Sequence, residues 1–259
     1  MAEEKKSIFK TLPTKVSRGI SMCIFSDPGK GKTTAAATLP VGETLFISCE
    51  AGVAPLYGTG HVVMNVLEAM VNTWKDVLVV MNELYKDIRT GNPNYKFVKN
   101  VVIDNVSELS DQITACYVKT HNKGTPELRE YGETAWTFRE WIHNWRDLVE
   151  MGINVVLNAW EADYEITATE GTIITKTCPK VGRSNIQSIC GLVDIVGHLE
   201  VDEKSQRRFI RIAPSRQYMT KTQFKGLCTG PNGEMTPGEP ANLPEIIRKV
   251  KEYDYSKQV

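Results

Sequence analysis

A short run of glycines, lysines and threonines carries the clearest chemical signal in this chain. Residues 26–34 read Ser-Asp-Pro-Gly-Lys-Gly-Lys-Thr-Thr, between an apolar run at 20–25 and an alanine-rich segment at 35–39. The spacing matches the phosphate-binding pattern G-x-x-x-x-G-K-[ST], the P-loop, with Ser26 in place of the first glycine. Such glycines let backbone amides turn toward a phosphate, and a following helix adds the positive end of its dipole. The run therefore predicts a strand, a nucleotide-binding loop and a helix.

Each side chain type in this loop suits one part of a magnesium nucleotide. Lys32 would place a cation at the β and γ phosphates, and Thr33 would offer its hydroxyl to Mg²⁺. The metal also needs a carboxylate, and Asp104 follows the apolar run at 101–103. We expect ATP and Mg²⁺ as ligands, with Thr33 and Asp104 holding the metal. The nucleotide-binding residues expected are Asp27, Pro28, Gly29, Lys30, Gly31, Lys32, Thr33 and Thr34.

Hydrophobic patterns indicate the elements that must position these residues. Apolar runs without strict alternation are typical of parallel strands buried on both faces, and they lie at 20–25, 44–49, 61–66, 98–103 and 153–158. A 3.6-residue period predicts helices over 74–88 and 135–149 that cover the sheet. Three tryptophans of the second helix are assigned to the core: Trp136, Trp141 and Trp145.

The pattern changes after residue 165. Runs at 165–169 and 172–177 flank Glu170-Gly171, and runs at 195–201 and 208–213 flank a charged turn, so both pairs predict hairpins. A short helix is expected near 243–253. The predicted fold class is α/β: a P-loop core with a mostly parallel central sheet, helices on both faces and antiparallel hairpins at the C-terminal side.

Composition excludes several classes of function. The 259 residues contain 31 Lys plus Arg and 31 Asp plus Glu, so any contact with nucleic acid must come from a local patch. No apolar run is long enough to span a bilayer, which favours a cytoplasmic protein without a membrane partner. The six cysteines are scattered without a C-x-x-C pair, so they are expected to be reduced structural thiols.

One further carboxylate narrows the choice among P-loop proteins. The strand after the P-loop helix reads Thr-Leu-Phe-Ile-Ser-Cys-Glu at 44–50, and Glu50 at its end could orient a water near the γ-phosphate. With the P-loop and Asp104, the chain resembles the RecA-like ATPases, more closely the short phage-encoded branch that acts in single-strand annealing and recombination. The resemblance implies that Glu50 is the catalytic base and that Lys32 binds phosphate. It also implies that a polar residue after the next core strand senses the γ-phosphate; Asn158, ending that strand, is the candidate, and Glu161 is the alternative.

The resemblance extends to the segment Lys-Thr-Gln-Phe-Lys-Gly at 221–226, which is similar to the K-N-R-F-G type. It implies that Lys221 reaches the ATP of a neighbouring subunit, although Gln223 stands where arginine is expected. Three parts of the chain are expected: an N-terminal extension (1–18), a RecA-like ATPase core (19–226), and a Pro/Gly-rich linker with a C-terminal helix (227–259).

An excess of basic over acidic side chains in one part of the chain suggests that this protein binds DNA. Residues 171–225 carry ten basic and four acidic side chains. The resemblance places a DNA-binding loop at 160–183, with Lys176, Lys180 and Arg183. The implied function is a DNA-stimulated, Mg²⁺-dependent ATPase that oligomerises as a ring or filament on single-stranded DNA and promotes annealing or recombination. Its expected partners are that DNA, other copies of itself and a single-strand-binding protein, in the host cytoplasm if phage-encoded.

Two alternatives stay open on the sequence alone. One is a nucleotide-gated replisome scaffold or loader that hydrolyses little ATP, since Glu50 is assigned as the base by position. The other is a P-loop small-molecule kinase, which would need clustered lid arginines that the sequence does not show.

Overall fold

A computed structural model describes residues 12–50, 52–66, 74–120, 127–167, 173–230 and 234–257. Ten strands in these ranges form one sheet. They are β1 (Ser21–Ser26), β2 (Thr44–Ser48), β3 (Val62–Asn65), β4 (Asn100–Asp104), β5 (Asn154–Thr167), β6 (Ile173–Pro179), β7 (Ile195–Val201), β8 (Arg208–Arg211), β9 (Lys221–Thr222) and β10 (Gly238–Pro240). The α-helices described are α1 (Lys32–Ala36), α2 (Trp74–Thr90), α3 (Val106–Thr120), α4 (Leu128–Arg146), α5 (Arg183–Leu192) and α6 (Leu243–Glu252).

The centre of the sheet is parallel, and its strand order brings separate chain segments to one edge. The order is β10-β8-β7-β1-β5-β4-β2-β3, with β6 on β5 and β9 on β7. Strand β5 lies between β1 and β4, and its register pairs Asn158 with Asp104. Because parallel strands end at the same edge, the segments after β1, β2 and β4 meet there. Those segments hold the P-loop, Glu50 and Asp104.

Two hydrophobic cores lie on the two faces of the sheet. Helices α2 to α5 cover one face, and α1 and α6 cover the other. Since side chains alternate along a strand, Asp104 and Asn158 point to the same face as Val102 and Val156. Those two valines belong to the core that α1 covers. The fold therefore directs both polar side chains toward the P-loop helix. The predicted α/β architecture, with helices on both faces and antiparallel strands after β7, is confirmed.

Two local predictions are wrong. The antiparallel pairing of the predicted hairpin is confirmed, but its first strand is not separate from the run at 153–158. The two form one continuous 14-residue strand, β5, which pairs with β6 beyond the sheet edge. The expected turn at Glu170-Gly171 lies outside the described residues. On α4, Trp141 and Trp145 are buried as predicted, but Trp136 is 61% exposed because it lies on the outer side of the helix.

The cysteines and the surface show no competing site in the described ranges. All six cysteines are free, five of them buried, as expected for structural thiols. Among the described residues, no three His, Cys, Asp or Glu side chains are arranged so that they could hold a metal ion. Within the same ranges, no helix has the length and apolar character needed to cross a membrane.

A partly buried ion pair connects the N-terminal segment to the residue before β7. Arg18 donates from both terminal nitrogens to the carboxylate of Asp194, at 2.9 and 2.6 Å, and the Ser21 amide donates to the same carboxylate at 2.9 Å. Burial alone would raise the pKa of Asp194, but the hydrogen bonds from Arg18 and Ser21 outweigh it and hold the pKa below its ordinary value.

Replacing Asp194 by alanine should lower the free energy of unfolding by about 3 kcal/mol at neutral pH, since Arg18 and Ser21 lose their acceptor. Because the folded pKa is depressed, this stabilisation is complete above the ordinary value of 3.8 and is lost as pH falls through the lowered value. In urea unfolding experiments, the difference in unfolding free energy from wild type should shrink as pH falls below 3.8 and through the lowered pKa. Glu245→Ala, at the exposed pair with Arg248, is the control and should shift the midpoint little. A gap that does not change with pH would contradict this role.

Candidate functional site

The phosphate loop connects the end of β1 to α1. Gly29 and Gly31 have φ angles of 79° and 98°, in the left-handed region that glycine adopts without strain. Ser26 is the last residue of β1 and is absent from the residues with positive φ in the described chain. A β-carbon is therefore accommodated where the pattern has its first glycine, and the loop keeps the geometry that the pattern predicts.

The ammonium of Lys32 lies inside this loop. Its Nζ donates to the Ser26 carbonyl at 2.9 Å, the Asp27 carbonyl at 3.0 Å and the Ser26 hydroxyl at 3.3 Å. The residue is only 7% exposed. Burial lowers its pKa, while the charge of Asp104 opposes that shift. Because its hydrogen-bond partners are neutral oxygens, the positive charge stays available for an anionic ligand within the loop.

A hydroxyl and a carboxylate meet beside the loop. Thr33 Oγ1 donates to Asp104 Oδ2 at 2.6 Å, joining α1 to the end of β4. Burial raises the pKa of Asp104, and the hydrogen bond from Thr33 opposes that shift. Mg²⁺ prefers oxygen ligands and usually takes one or two from the protein together with substrate phosphates. This donor pair fits that preference and is the pair that the sequence predicted.

Asn105, the residue just before α3, holds Glu50 at the same edge of the sheet. Asn105, joined to Asp104 by a cis peptide bond, donates from Nδ2 to Glu50 Oε2 at 2.8 Å. Burial and the nearby Asp104 charge raise the pKa of Glu50, and the bond from Asn105 lowers it. The carboxylate thus has a fixed orientation close to both Asp104 and Lys32. This placement is compatible with a group that positions a water, and the role of Glu50 stays a prediction.

Asn158 lies in the middle of β5 rather than at its end, because the strand continues to Thr167. Its side chain is fully buried beside Asp104 and lowers the pKa of that carboxyl. Neither amide atom has a hydrogen bond of ordinary geometry in the described chain. A buried amide with a free donor and acceptor is costly, so its position beside the P-loop suits contact with a ligand.

A titratable cluster on the opposite face was missed by sequence reasoning. Glu161 lies on β5 just past the part of the strand that pairs with β1. Its Oε2 is 2.7 Å from His198 Nε2, and Glu200 Oε1 is 3.3 Å from His198 Nδ1. Tyr218 stacks on the imidazole with ring centroids 3.9 Å apart, and Arg211 pairs with Glu200. The four histidines are dispersed in the sequence, so only the sheet register could reveal this cluster.

The predicted DNA-binding residues lie on and just after β6. Lys176 Nζ donates to the Ser215 carbonyl at 3.3 Å, and Arg183 Nη2 donates to the Glu165 carbonyl at 3.3 Å. Neither has a carboxylate partner among the described residues. Their charges therefore remain available to phosphates.

Lys180 is in a different environment. It forms an ion pair with Asp111 on α3 at 3.0 Å and lies 5.1 Å from the centre of the Trp160 ring. Asp111 neutralises part of its charge. The structure thus separates this residue from Lys176 and Arg183, which the sequence treated alike.

Lys221 lies far from the phosphate loop of its own subunit. It pairs with Val196 at the amino end of β7, whereas the P-loop lies at the carboxyl end of the neighbouring parallel strand β1. Its ammonium donates to the Gly191 carbonyl at 3.0 Å, near the end of α5. Any contact of Lys221 with ATP must therefore involve the nucleotide of another copy.

A family model matches the part of the chain that holds this site. The AAA domain family matches residues 18–224. No curated protein matches the chain. Among solved structures, a KaiC-like protein of the hyperthermophilic archaeon Pyrococcus horikoshii is similar at 18% identity, over 83% of this chain and 88% of that one, with a TM-score of 0.40. Because the family match covers most of the sequence, including the P-loop, Glu50, Asp104 and Asn158, the chain belongs to the AAA domain family of P-loop ATPases.

Proposed function

We propose that this protein is a Mg²⁺-dependent, RecA-like ATPase that binds single-stranded DNA and promotes annealing or homologous recombination, and that it is phage-encoded. The family match supports nucleotide binding and hydrolysis. The sequence pattern, strand β5 and the position of Lys221 support the proposed DNA binding and the proposed self-assembly into a ring or filament. The single-strand-binding partner is proposed from the sequence.

The nucleotide site supplies each group that phosphoryl transfer to water requires. The loop amides and Lys32 would hold the phosphates, and Thr33 with Asp104 would hold Mg²⁺. The bound metal would neutralise charge on the phosphate oxygens. Glu50, oriented by Asn105, would accept a proton from the attacking water. Asn158 would report whether the γ-phosphate is present, because its amide is buried beside Asp104 and makes no hydrogen bond of ordinary geometry within the described residues.

The continuity of strand β5 is the main structural support for the proposed DNA binding. It passes without interruption from Asn158, beside Asp104, to a hairpin that extends past the edge of the sheet. From Glu161 to Thr167 its partner is β6 alone among the described strands, a length of about 20 Å. A shift of Asn158 with nucleotide state would therefore be transmitted along one strand to the basic residues of the hairpin.

The position of Lys221 is compatible with a role at the nucleotide of a neighbouring subunit. Lys221 lies at the edge of the sheet opposite its own P-loop, so its proposed role requires a second copy. In a ring or filament, ATP bound at one subunit would contact Lys221 of the next. Assembly along DNA would then raise the rate of hydrolysis above its basal value.

The double variant Lys176→Ala/Arg183→Ala should weaken single-stranded DNA binding, because it removes two charges without carboxylate partners. The slope of log affinity against log salt should flatten by roughly 0.7 per lost phosphate contact, about 1.4 in all. Lys180→Ala should have a smaller effect, since Asp111 already neutralises part of that charge. Fluorescence anisotropy with a labelled oligonucleotide over a salt series measures both quantities.

The matched control is Lys96→Ala/Lys99→Ala, which removes two exposed charges just before the amino end of β4, at the far edge of the sheet. It should leave the salt slope unchanged. Equal losses in the two double variants would mean that only net charge matters. No DNA binding by the wild-type protein would refute the DNA proposal.

A further inference from the structure

An arginine on the antiparallel side of the sheet lies against the phosphate loop. Arg208 Nε donates to the Lys30 carbonyl at 2.9 Å. A β-carbon at Gly31 would come within 2.5 Å of the same nitrogen, so the side chain packs directly on the loop. Lys30 and Arg208 are 178 positions apart, and the hairpin pattern alone does not predict this contact.

The sheet order explains why Arg208 reaches the loop. Strand β7 runs parallel to β1 and beside it, so both end at the edge where the P-loop lies. The turn after β7 is closed by Asp202, whose carbonyl accepts from the Gln206 amide at 2.8 Å and whose carboxylate accepts from Ser205. Strand β8 then begins with Arg208, paired with Val201 at the end of β7.

The guanidinium of Arg208 has no compensating charge in the described part of the chain. Neither terminal nitrogen has a hydrogen-bond or carboxylate partner there. Arg211, on the same strand, differs because it pairs with Glu200 and lies over Tyr218. Arg208 thus combines an exposed, uncompensated fork of donors with a fixed position on the loop, which is the arrangement that binds phosphate groups well.

We propose that Arg208 is a nucleotide-binding residue that contacts the phosphate chain from the β8 side and favours triphosphate over diphosphate. The proposal rests on the proposed nucleotide site. The expected preference for ATP over ADP follows from charge. A magnesium triphosphate carries roughly two negative charges, and a magnesium diphosphate carries roughly one. Lys32 alone balances the diphosphate, whereas the triphosphate leaves about one charge for Arg208.

The test is nucleotide binding by Arg208→Ala, measured with fluorescent ATP and ADP analogues and Mg²⁺. ATP affinity should fall about tenfold, and ADP affinity should fall less than about threefold. Arg208→Lys should restore part of the ATP affinity, because it keeps the charge but loses the two-pronged donor. The neighbouring Arg207→Ala removes the same charge from the turn without a contact to the loop, and it should change neither affinity.

Three results would overturn the assignment. Equal losses for ATP and ADP, with a lower melting temperature of the nucleotide-free variant, would make Arg208 a brace for the loop through Lys30. Affinities unchanged in Arg208→Ala, while Lys32→Ala weakens ATP binding, would remove Arg208 alone from the site. ATP binding unchanged in Lys32→Ala would show that the nucleotide site itself is wrong, and the assignment of Arg208 would fall with it.

Discussion

Replacing Glu50 by glutamine should slow ATP hydrolysis by about 10² or more while leaving ATP binding nearly unchanged. Glutamine preserves the shape of the side chain and can still bond to Asn105, but it cannot accept a proton from water. The variant therefore removes the proposed chemistry without opening a cavity in the site. Phosphate release under saturating ATP measures turnover, and equilibrium binding of a fluorescent ATP analogue measures affinity.

A control for this variant lies one turn into α3. Glu108 influences the charge environment of Glu50, but its carboxylate accepts from Gln112. Glu108→Gln should therefore hydrolyse ATP at close to the wild-type rate. Near wild-type turnover in Glu50→Gln would disprove the assignment of the base, and an equal loss of binding and turnover would give Glu50 a structural role instead.

Lys32→Ala should lower both ATP affinity and turnover, since it removes the buried cation from the loop but leaves the backbone amides in place. Losing a charge partner of this kind typically costs at least about 2 kcal/mol, which is about a 30-fold weaker affinity. Binding of the fluorescent analogue and phosphate release should fall together.

Lys30→Ala is the matched control in the same loop. Its side chain is exposed, and its place in the expected nucleotide-binding loop depends on its backbone, whose carbonyl accepts from Arg208 Nε and which alanine leaves in place. Affinity and turnover should stay near wild type. Turnover unaffected by Lys32→Ala would instead remove the P-loop assignment altogether.

Local sequence patterns were enough to predict the parts of the site that are close in sequence to a strand end. The P-loop, Glu50 and Asp104 each follow an apolar run, and parallel strands place such ends at one edge. The structure brings them together, with Thr33 on Asp104 and Asn105 on Glu50. These side chains could be named in advance because their positions depend only on strand ends and on the parallel arrangement.

Long-range contacts could not be predicted in the same way. Arg208 meets Lys30 because β7 lies next to β1, and His198 meets Glu161 for the same reason. Nothing near Arg208 or His198 in the sequence indicates which strand neighbours β1. The continuity of β5 was also hidden, because past Asn158 the strand leaves the core and its polar residues no longer show a buried pattern.

The rate of ATP hydrolysis with and without single-stranded DNA, in wild type and in Lys176→Ala/Arg183→Ala, decides whether this protein is a DNA-dependent ATPase. We expect hydrolysis that requires Mg²⁺ and rises with DNA, with the same basal rate but weaker stimulation in the double variant. Absence of hydrolysis under both conditions would favour a scaffold or loader, and dependence on a small phosphate acceptor would favour a kinase. Either result would contradict the proposed DNA-dependent ATPase.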